Sequence, residues 1–506
     1  MGQSRSQVGY MTTATATTQS WQEIYQRKLT TPEEAVKVVR SGDIVSIPIF
    51  PPATLLPALY NRRDDLRDVT IRLLAPASDP GWLKPGVEDH FNVEFELYIG
   101  DFARFASDER RGPYLPNLFS TNYMAHDDGR EEADNDPDVL VASVTPPNSQ
   151  GYVQFGAHSW TKHAWLKRGV KTIAEVDPTI VAVHGDVWAH VSEFEALVEY
   201  TPPDFTEEQF EAAIAPLDAE KQADWRALWG ELVNPARLAP LAAVLAAVSP
   251  DDVRRFLGMM PPPEFYHEIA KHLKGLIKDG DCIQIGTGEP SRVMAKLGVF
   301  AERNDLGIHT ELGWPGLAQM VKDGIANGRR KTIETGLAVA TAWTGCDDQD
   351  FEIIADNPAF QLHPPDYVLN LRNLLAIDNF VSINNAISID LTGQVTAESV
   401  FGGRMINGTG GQPEMHLGGF FSKGGRAITL LPSTALADSV SRIVPQLDAG
   451  TIVTVPRFYA DLVVTEYGVA KLLNRNHRQR AEALIEVAHP NFRDGLREKA
   501  KELFWP

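Results

Sequence analysis

The sequence predicts an α/β fold made of two tandem copies of one unit, each with an open, largely parallel sheet. Three observations carry that reading. Short apolar runs alternate with amphipathic stretches along most of the chain. The segment from Ser41 to Leu59 aligns without a gap on Asp279 to Leu297, an offset of 279 − 41 = 238 residues, with identities at Gly42/Gly280, Asp43/Asp281, Ile47/Ile285, Pro52/Pro290 and Leu59/Leu297. Further on, Gln150-Gly-Tyr-Val153 falls opposite Thr392-Gly-Gln-Val395.

The elements follow in order. Met1 to Ser20 is rich in Ser, Thr and Gln and lacks the apolar core of a signal peptide, so residues 1–20 read as a disordered tail. In the first copy, residues 21–235, strands are expected at Asp43 to Ile49, Val69 to Leu74, Val139 to Val144, Thr172 to Val176 and Ile180 to Val183. Helices are expected at Thr31 to Val39 and Thr54 to Arg62. Residues 206–262 are rich in Ala, Leu and Glu and read as a helical insertion or linker. Thr206 with Gln209 and Ser249 with Asp252 mark helix starts, and Pro261-Pro-Pro263 closes the segment. The second copy, residues 263–506, has expected strands at Cys282 to Ile285, Leu306 to Thr310, Val381 to Ile389, Ala427 to Leu431 and Ile452 to Val455.

Composition bounds the function. The 506 residues carry 47 Lys and Arg against 67 Asp and Glu, a net charge of −20. With 43% hydrophobic and 23% charged residues the chain is globular, not fibrous or disordered. The acidic balance argues against nucleic acid as a partner but allows a locally basic cleft for a small anion. Two cysteines, Cys282 and Cys346, exclude a disulfide framework and a Cys-rich metal site, and favour a reducing, cytoplasmic setting. The most apolar stretch, Leu238 to Val248, is too short to span a bilayer, so no membrane association is expected. No HExxH or GxSxG string occurs, which leaves zinc hydrolysis and serine hydrolysis unsupported, and no metal ligands are assigned.

Three places could carry chemistry. Ile285-Gly-Thr-Gly-Glu-Pro-Ser291 runs from a buried strand through glycines toward a helix start near Pro290. That arrangement suits a close-approaching anion, and equally a plain structural turn. Glu311 follows a strand and precedes the Gly/Pro-rich run Gly313-Trp-Pro-Gly316, at the strand end where ligands of open α/β sheets gather; an ordinary surface Glu fits too. Asn407-Gly-Thr-Gly-Gly-Gln412 offers amides to an oxyanion, with Lys423 and Arg426 close behind for phosphates. The first copy has Pro48-Ile-Phe50 in place of the first glycine loop and an apolar residue near Leu74 in place of Glu311. Only the second copy reads as built for a ligand.

From about Ile283 to Phe504 the chain resembles the acetyl-CoA hydrolase/transferase family, a branch of the CoA-transferases, and within it the 4-hydroxybutyrate and butyryl-CoA:acetate CoA-transferases. The strings are Asp305-Leu-Gly-Ile-His-Thr-Glu311, Val381-Ser-Ile-Asn-Asn-Ala-Ile387, Asp390-Leu-Thr-Gly-Gln-Val395, Gly408-Thr-Gly-Gly-Gln412, Ser422-Lys-Gly-Gly425, Leu431-Pro-Ser-Thr-Ala435, Ser441-Arg-Ile-Val-Pro445, Val463-Val-Thr-Glu-Tyr-Gly468 and Ile485-Glu-Val-Ala-His-Pro490. The first half matches more loosely, through Ser143-Val-Thr-Pro-Pro147, Gly151 and Ile173-Ala-Glu-Val176.

The resemblance implies two CoA-transferase-like domains with the active site at their interface. It implies Glu311 as the nucleophile of a ping-pong transfer of CoA between a short-chain acyl-CoA and a carboxylic acid, through a glutamyl-CoA thioester. An acyl-CoA hydrolase using the same Glu is the alternative, and a non-catalytic CoA-binding protein a more distant one. CoA enters as substrate, with no permanently bound cofactor, and a homodimer is implied. Gly286, Thr287, Gly288, Gly410 and Gly411 would serve CoA and the oxyanions. Asn384 or Asn385 would orient an acyl or pantetheine group, and Lys423 would head a basic patch for the phosphates. Glu466 would be a second carboxylate or a structural acceptor, and Trp314 and Gln412 would line the substrate pocket. The chain departs from the family pattern at Gly313-Trp-Pro-Gly316, where relatives carry a Phe-Ser-Asp-Gly type run. It departs again at Leu436, where many carry Lys, and in the length of the segment Thr206 to Met260.

Overall fold

The computed structural model describes residues 19–506, except 75–78, 203–204, 233–234, 236–237, 239–244, 246–247, 257–258 and 401. The expected tail falls almost wholly outside the described residues.

Two open sheets stand in tandem, as predicted. The first runs Phe91–Leu97, Val69–Leu74, Ile44–Ile47, Val139–Val144, Lys171–Val176, Ala196–Glu199, all parallel. The second runs Gly468–Lys471, Leu462–Thr465, Arg426–Leu430, Phe380–Asn385, Cys282–Ile285, Gly307–His309, Ala338–Ala340, Phe360–Leu362, His184–Gly185, parallel except for the Gly468–Lys471 hairpin strand. In each the first strand lies in the middle. The next strands are laid to one side, and the chain then returns to the other side of that first strand.

The repeat extends to single hydrogen bonds. Gly42 and Gly280 both turn through left-handed backbone, at φ +85° and +82°, as the Gly-Asp turn requires. The following carboxylates accept the amide three residues back, Arg40 to Asp43 at 2.9 Å and Lys278 to Asp281 at 2.6 Å. The helix start expected at Thr206 is a capping box with Gln209, opening Glu207–Ile214. Ala219–Glu231 and Pro250–Phe256 are helical beyond it.

Several expected elements differ. Ile180 to Val183 is apolar because it packs, with Val183 in the core of the second sheet, yet it is not a strand: its backbone is taken up locally, the amide of Val183 by Gln154 and the carbonyl of Val181 by Ala157. Ile452 to Val455 makes a single bridge, Val455 with Val395, and leaves Ile452 and Val453 exposed. Val381 to Ile389 is two strands, Phe380–Asn385 and Ser388–Asp390, divided at Ala386. Phe91–Leu97 was not among the expected strands. It is an edge strand that alternates apolar and polar residues, unlike the continuously buried Val139–Val144.

The halves are joined by more than a linker. His184–Gly185 leaves the first half to complete the edge of the second sheet, and Ala157, Val183 and Val187 sit in that sheet's core. A further core is shared. Ile49, Leu74, Leu97, Phe119 and Trp160 of the first half pack with Cys282, Val339, Leu369, Phe380 and Met415 of the second. Ile49, Leu74 and Leu97 lie at or just past the carboxyl ends of their strands, so the first sheet points those ends into the second half.

Gly185 carries the edge pairing in left-handed backbone at φ +120°, where a Cβ would overlap the backbone of Leu362. Gly169 is also left-handed, at φ +85°, but faces open space. Gly185→Ala should therefore cost more than about 2 kcal/mol by urea unfolding, against about 1 kcal/mol for Gly169→Ala. Equal losses at the two positions would contradict the pairing.

Candidate active site

The site gathers at the carboxyl edge of the second sheet, where its strand order reverses. Cys282–Ile285 lies between Phe380–Asn385 and Gly307–His309 in parallel register, so the loops leaving all three emerge side by side, strands about 5 Å apart.

The first loop is Gly286 to Glu289. Its glycines are demanded by space: a Cβ would lie 2.7 Å from Asn384 Oδ1 at Gly286 and 2.8 Å from Asn385 Nδ2 at Gly288. The Gly286 amide is taken by the carbonyl of Ile383, while Thr287 and Gly288 are exposed. Asn385 holds the loop's far end, accepting the Ser291 amide at 3.0 Å and donating to its hydroxyl at 2.7 Å. Asn384 is buried and engaged on both sides. It exchanges hydrogen bonds with Gln284 at 3.0 and 3.1 Å and donates to Ser382 at 2.8 Å. A 3₁₀ turn, Ser291–Val293, stands where a helix start was expected near Pro290.

The repeat shows what distinguishes the second copy. Ala53 is the counterpart of Ser291. Its amide and that of Thr54 donate to the buried carboxylate of Glu175, each at 2.8 Å. The first copy closes this loop with a negative charge; the second closes it with the neutral amide of Asn385.

Glu311 stands two residues past the strand Gly307–His309. Its backbone is fixed by Thr341, whose amide donates to the Glu311 carbonyl at 2.9 Å, and by the bridge of Leu312 to Ala342. Its carboxylate reaches the start of the helix Gln412–Phe421. A Cβ on Gly411 would overlap Glu311 Oε2 and Leu369 Cδ2, and would lie 2.8 Å from Glu311 Cδ. The Gly411 amide faces that carboxylate. Burial pushes Glu311 up to about 8, the nearby charge of Glu414 adds to the rise, and the Gly411 amide opposes it. Gln412 ties the helix start to the sheet edge, donating to the carbonyl of Asn385 at 3.1 Å.

The first half clamps this glycine loop. The Thr409 amide donates to Tyr114 Oη at 2.6 Å, Tyr114 donates to Thr409 Oγ1 at 2.8 Å, and Thr409 donates to Glu398 at 3.1 Å. Arg104 donates to the carbonyl of Ile406 at 3.0 Å, and Arg404 pairs with Asp108. Gly408 is pressed against Tyr114 and Leu97. Gly410, at φ +59°, faces open space.

Residues 13–211 match the N-terminal domain of the acetyl-CoA hydrolase/transferase family and residues 348–500 its C-terminal domain. The chain is 32% identical over 490 residues to 4-hydroxybutyrate coenzyme A transferase of Clostridium kluyveri, covering 96% of this chain and all of that one. The chain belongs to the acetyl-CoA hydrolase/transferase family. It is likewise 31% identical to butyryl-CoA:acetate CoA-transferase of Anaerostipes caccae, over 96% of this chain and 98% of that one. The crystal structure of RipA from Yersinia pestis superimposes with a TM-score of 0.75 at 28% identity, covering 96% of this chain and all of that one. Glu311 lies between the two matched domain ranges, in a stretch that the relatives' alignments span.

Two residues that the family resemblance placed at the ligand are not there. Lys423 lies beyond the far end of the helix Gln412–Phe421, about 15 Å long, from Gly411. Its carbonyl accepts the Asn379 amide at the amino edge of the sheet, and its exposed ammonium pairs with Asp378 at 3.0 Å. It is on the wrong side of the sheet, with a carboxylate beside it, to head a phosphate patch near Glu311. Trp314 has no exposed surface and belongs to the core with Trp343, so it lines no open pocket. Its burial has a local cause. Gly313 is pressed against Cys346 and Trp343, and Asp350 holds the loop by accepting the amides of Gly316 and Ala318 at 2.8 and 2.9 Å.

Glu466 lies at the carboxyl end of Leu462–Thr465 and accepts the amide of Ser433 at 3.0 Å, fixing the turn after Arg426–Leu430. Sequence reasoning missed Glu414, Tyr114 and Ser120. An acid inside the apolar run of the helix Gln412–Phe421 was the available signal for Glu414. Tyr114 and Ser120 reach the site only through tertiary packing.

Asn384→Ala should strand the buried Gln284 amide and cost about 1–3 kcal/mol in thermal unfolding. An unchanged melting temperature would contradict the closed Gln284–Ser382–Asn384 network.

Proposed function

We propose that this protein is an acyl-CoA:carboxylate CoA-transferase with Glu311 as its nucleophile. The observation that carries the reading is a half-buried carboxylate at the carboxyl edge of the sheet, against the bare backbone of Gly411. The curated relatives named as CoA-transferases support the same class of reaction.

The chemistry follows from the residue type. The Glu311 carboxylate attacks the acyl-CoA carbonyl, the C–S bond breaks, and CoA thiolate leaves an acyl-glutamyl anhydride. The thiolate attacks the glutamyl carbonyl, forming a glutamyl-CoA thioester and releasing the donor acid as carboxylate. An acceptor carboxylate attacks that thioester, and the returning thiolate takes the new acyl group and frees Glu311. One thioester is exchanged for another, so no nucleotide is consumed. In this reading the Gly411 amide and the exposed Thr287–Gly288 backbone face the tetrahedral oxyanions. The neutral closure by Asn385 leaves the far end of that loop without a counterpart of the first copy's Glu175. With Lys423 elsewhere, the phosphates rely on other groups.

With a panel of short acyl-CoA donors and carboxylate acceptors, the acyl-CoA of the acceptor should form in ping-pong kinetics, at least about tenfold faster than free thiol is released. Glu311→Ala should lower that formation by on the order of 10³-fold or more. Free thiol in place of a new acyl-CoA would assign a hydrolase instead, and full activity in Glu311→Ala would remove the nucleophile.

A further inference from the structure

A second carboxylate, more deeply buried than the half-buried Glu311, lies at this junction. Glu414 stands in the first turn of the helix Gln412–Phe421, three residues after Gly411 and therefore on the same face. That face is the one whose vacant Cβ position Glu311 Oε2 overlaps. Glu414 is 1% exposed. Its Oε1 accepts the Ser120 amide of the first half at 3.2 Å, and the Phe119 amide faces it as well. Its Oε2 is buried with no hydrogen-bond partner among the described residues. A buried carboxylate oxygen in that condition is costly unless a proton is shared with it.

No cation among the described residues offsets the pair. Among the described residues, Glu311 is acted on by Glu414 and the Gly411 amide, and Glu414 by Ser120 and Phe119. His309, on the strand before Glu311, points to the carbonyl of Val368 at 2.8 Å and is kept neutral by burial. Tyr114 and Glu398 are engaged by Thr409. Two like charges at one junction, Glu414 buried and Glu311 half-buried, oppose each other's ionisation near neutrality.

We propose that Glu311 and Glu414 form a carboxylate pair holding one proton between the two halves of the molecule, with Glu414 a positioning residue that governs when the nucleophile is ionised. The inference rests on Glu311 being the nucleophile. With Glu414 ionised, its charge keeps the proton on Glu311 and the nucleophile is silent. When the proton passes to Glu414 Oε2, Glu311 becomes the carboxylate that attacks. The proton stays on Glu414 while Glu311 is an uncharged anhydride or thioester, and it is available again when the carboxylate is released. One O–H bond breaks and one forms, and no other reactant is needed.

The test compares pH profiles of kcat/KM for the wild type and Glu414→Gln, which keeps shape but cannot ionise. Wild-type kcat/KM should rise with pH as Glu311 ionises near 8. In Glu414→Gln that rise should move about one pH unit lower, so the variant keeps a several-fold larger share of its maximal rate at pH 6.5. An unmoved profile, or one moved to higher pH, would make Glu414 a packing residue and overturn the pair. Thermal unfolding of Glu311→Gln supplies a readout that needs no turnover and no Glu414 variant. Both carboxyls bind protons more tightly folded than unfolded, with Glu311 near 8 and Glu414 near 7 against an ordinary 4.5. Their stability contribution is therefore full below about pH 4.5 and is lost as pH rises to about 8. Glu311→Gln should lose less melting temperature than wild type between pH 6 and 8.5. Equal losses would overturn the pair. A shifted stability profile without acyl-CoA turnover in the wild type would instead sink the transferase reading alone.

Discussion

Glu311 is half-buried against a stretch of backbone that carries no side chain. That close approach depends on Gly411 being glycine, on Leu369 closing the other side, and on the first half pinning the loop through Tyr114 and Thr409. A carboxylate in bulk water is a poor nucleophile toward a thioester, and one buried with no donor is simply protonated. Here burial and a neighbouring carboxylate are set against a single backbone amide, which leaves ionisation within reach of neutral pH. Much of the surrounding structure serves that balance: the shared core beneath the loop, the Asp350 clamp on the segment after Glu311, and the Gln284–Ser382–Asn384 network that sets the height of the first glycine loop.

The tandem repeat closes one loop in two chemically different ways. Both copies place a loop at the reversal of strand order, and both satisfy the amide at its far end from within. The first uses the carboxylate of Glu175, the second the amide of Asn385. An internal carboxylate occupies the place an anion would take. The strand ends of the first copy pack into a core shared with the second.

The sequence made the repeat, the central strands and Glu311 legible, because continuous apolar runs and Gly-Asp turns are local signals. Phe91–Leu97 escaped because an edge strand shows alternation instead of a run, and Ile180 to Val183 misled because a loop packed in a core is apolar too. Gly286, Gly288 and Gly411 were found through their glycines, whose reason, the approach of Asn384, Asn385 and Glu311, is visible only in space. Lys423 misled because a helix separates residues that the sequence keeps near each other. Trp314 misled because position next to a site says nothing about which way a side chain turns. Glu414 was passed over because its meaning comes from Ser120, almost three hundred residues away in the other half.

The central claim is that Glu311 takes the acyl group and then CoA onto its own carboxylate. Incubation with an acyl-CoA, borohydride reduction and peptide mapping by mass addresses it directly. The account predicts a CoA adduct before reduction, and a glutamate reduced to the alcohol afterwards, on the peptide containing Glu311. Turnover with that peptide unmodified, or a label on another residue, would contradict it.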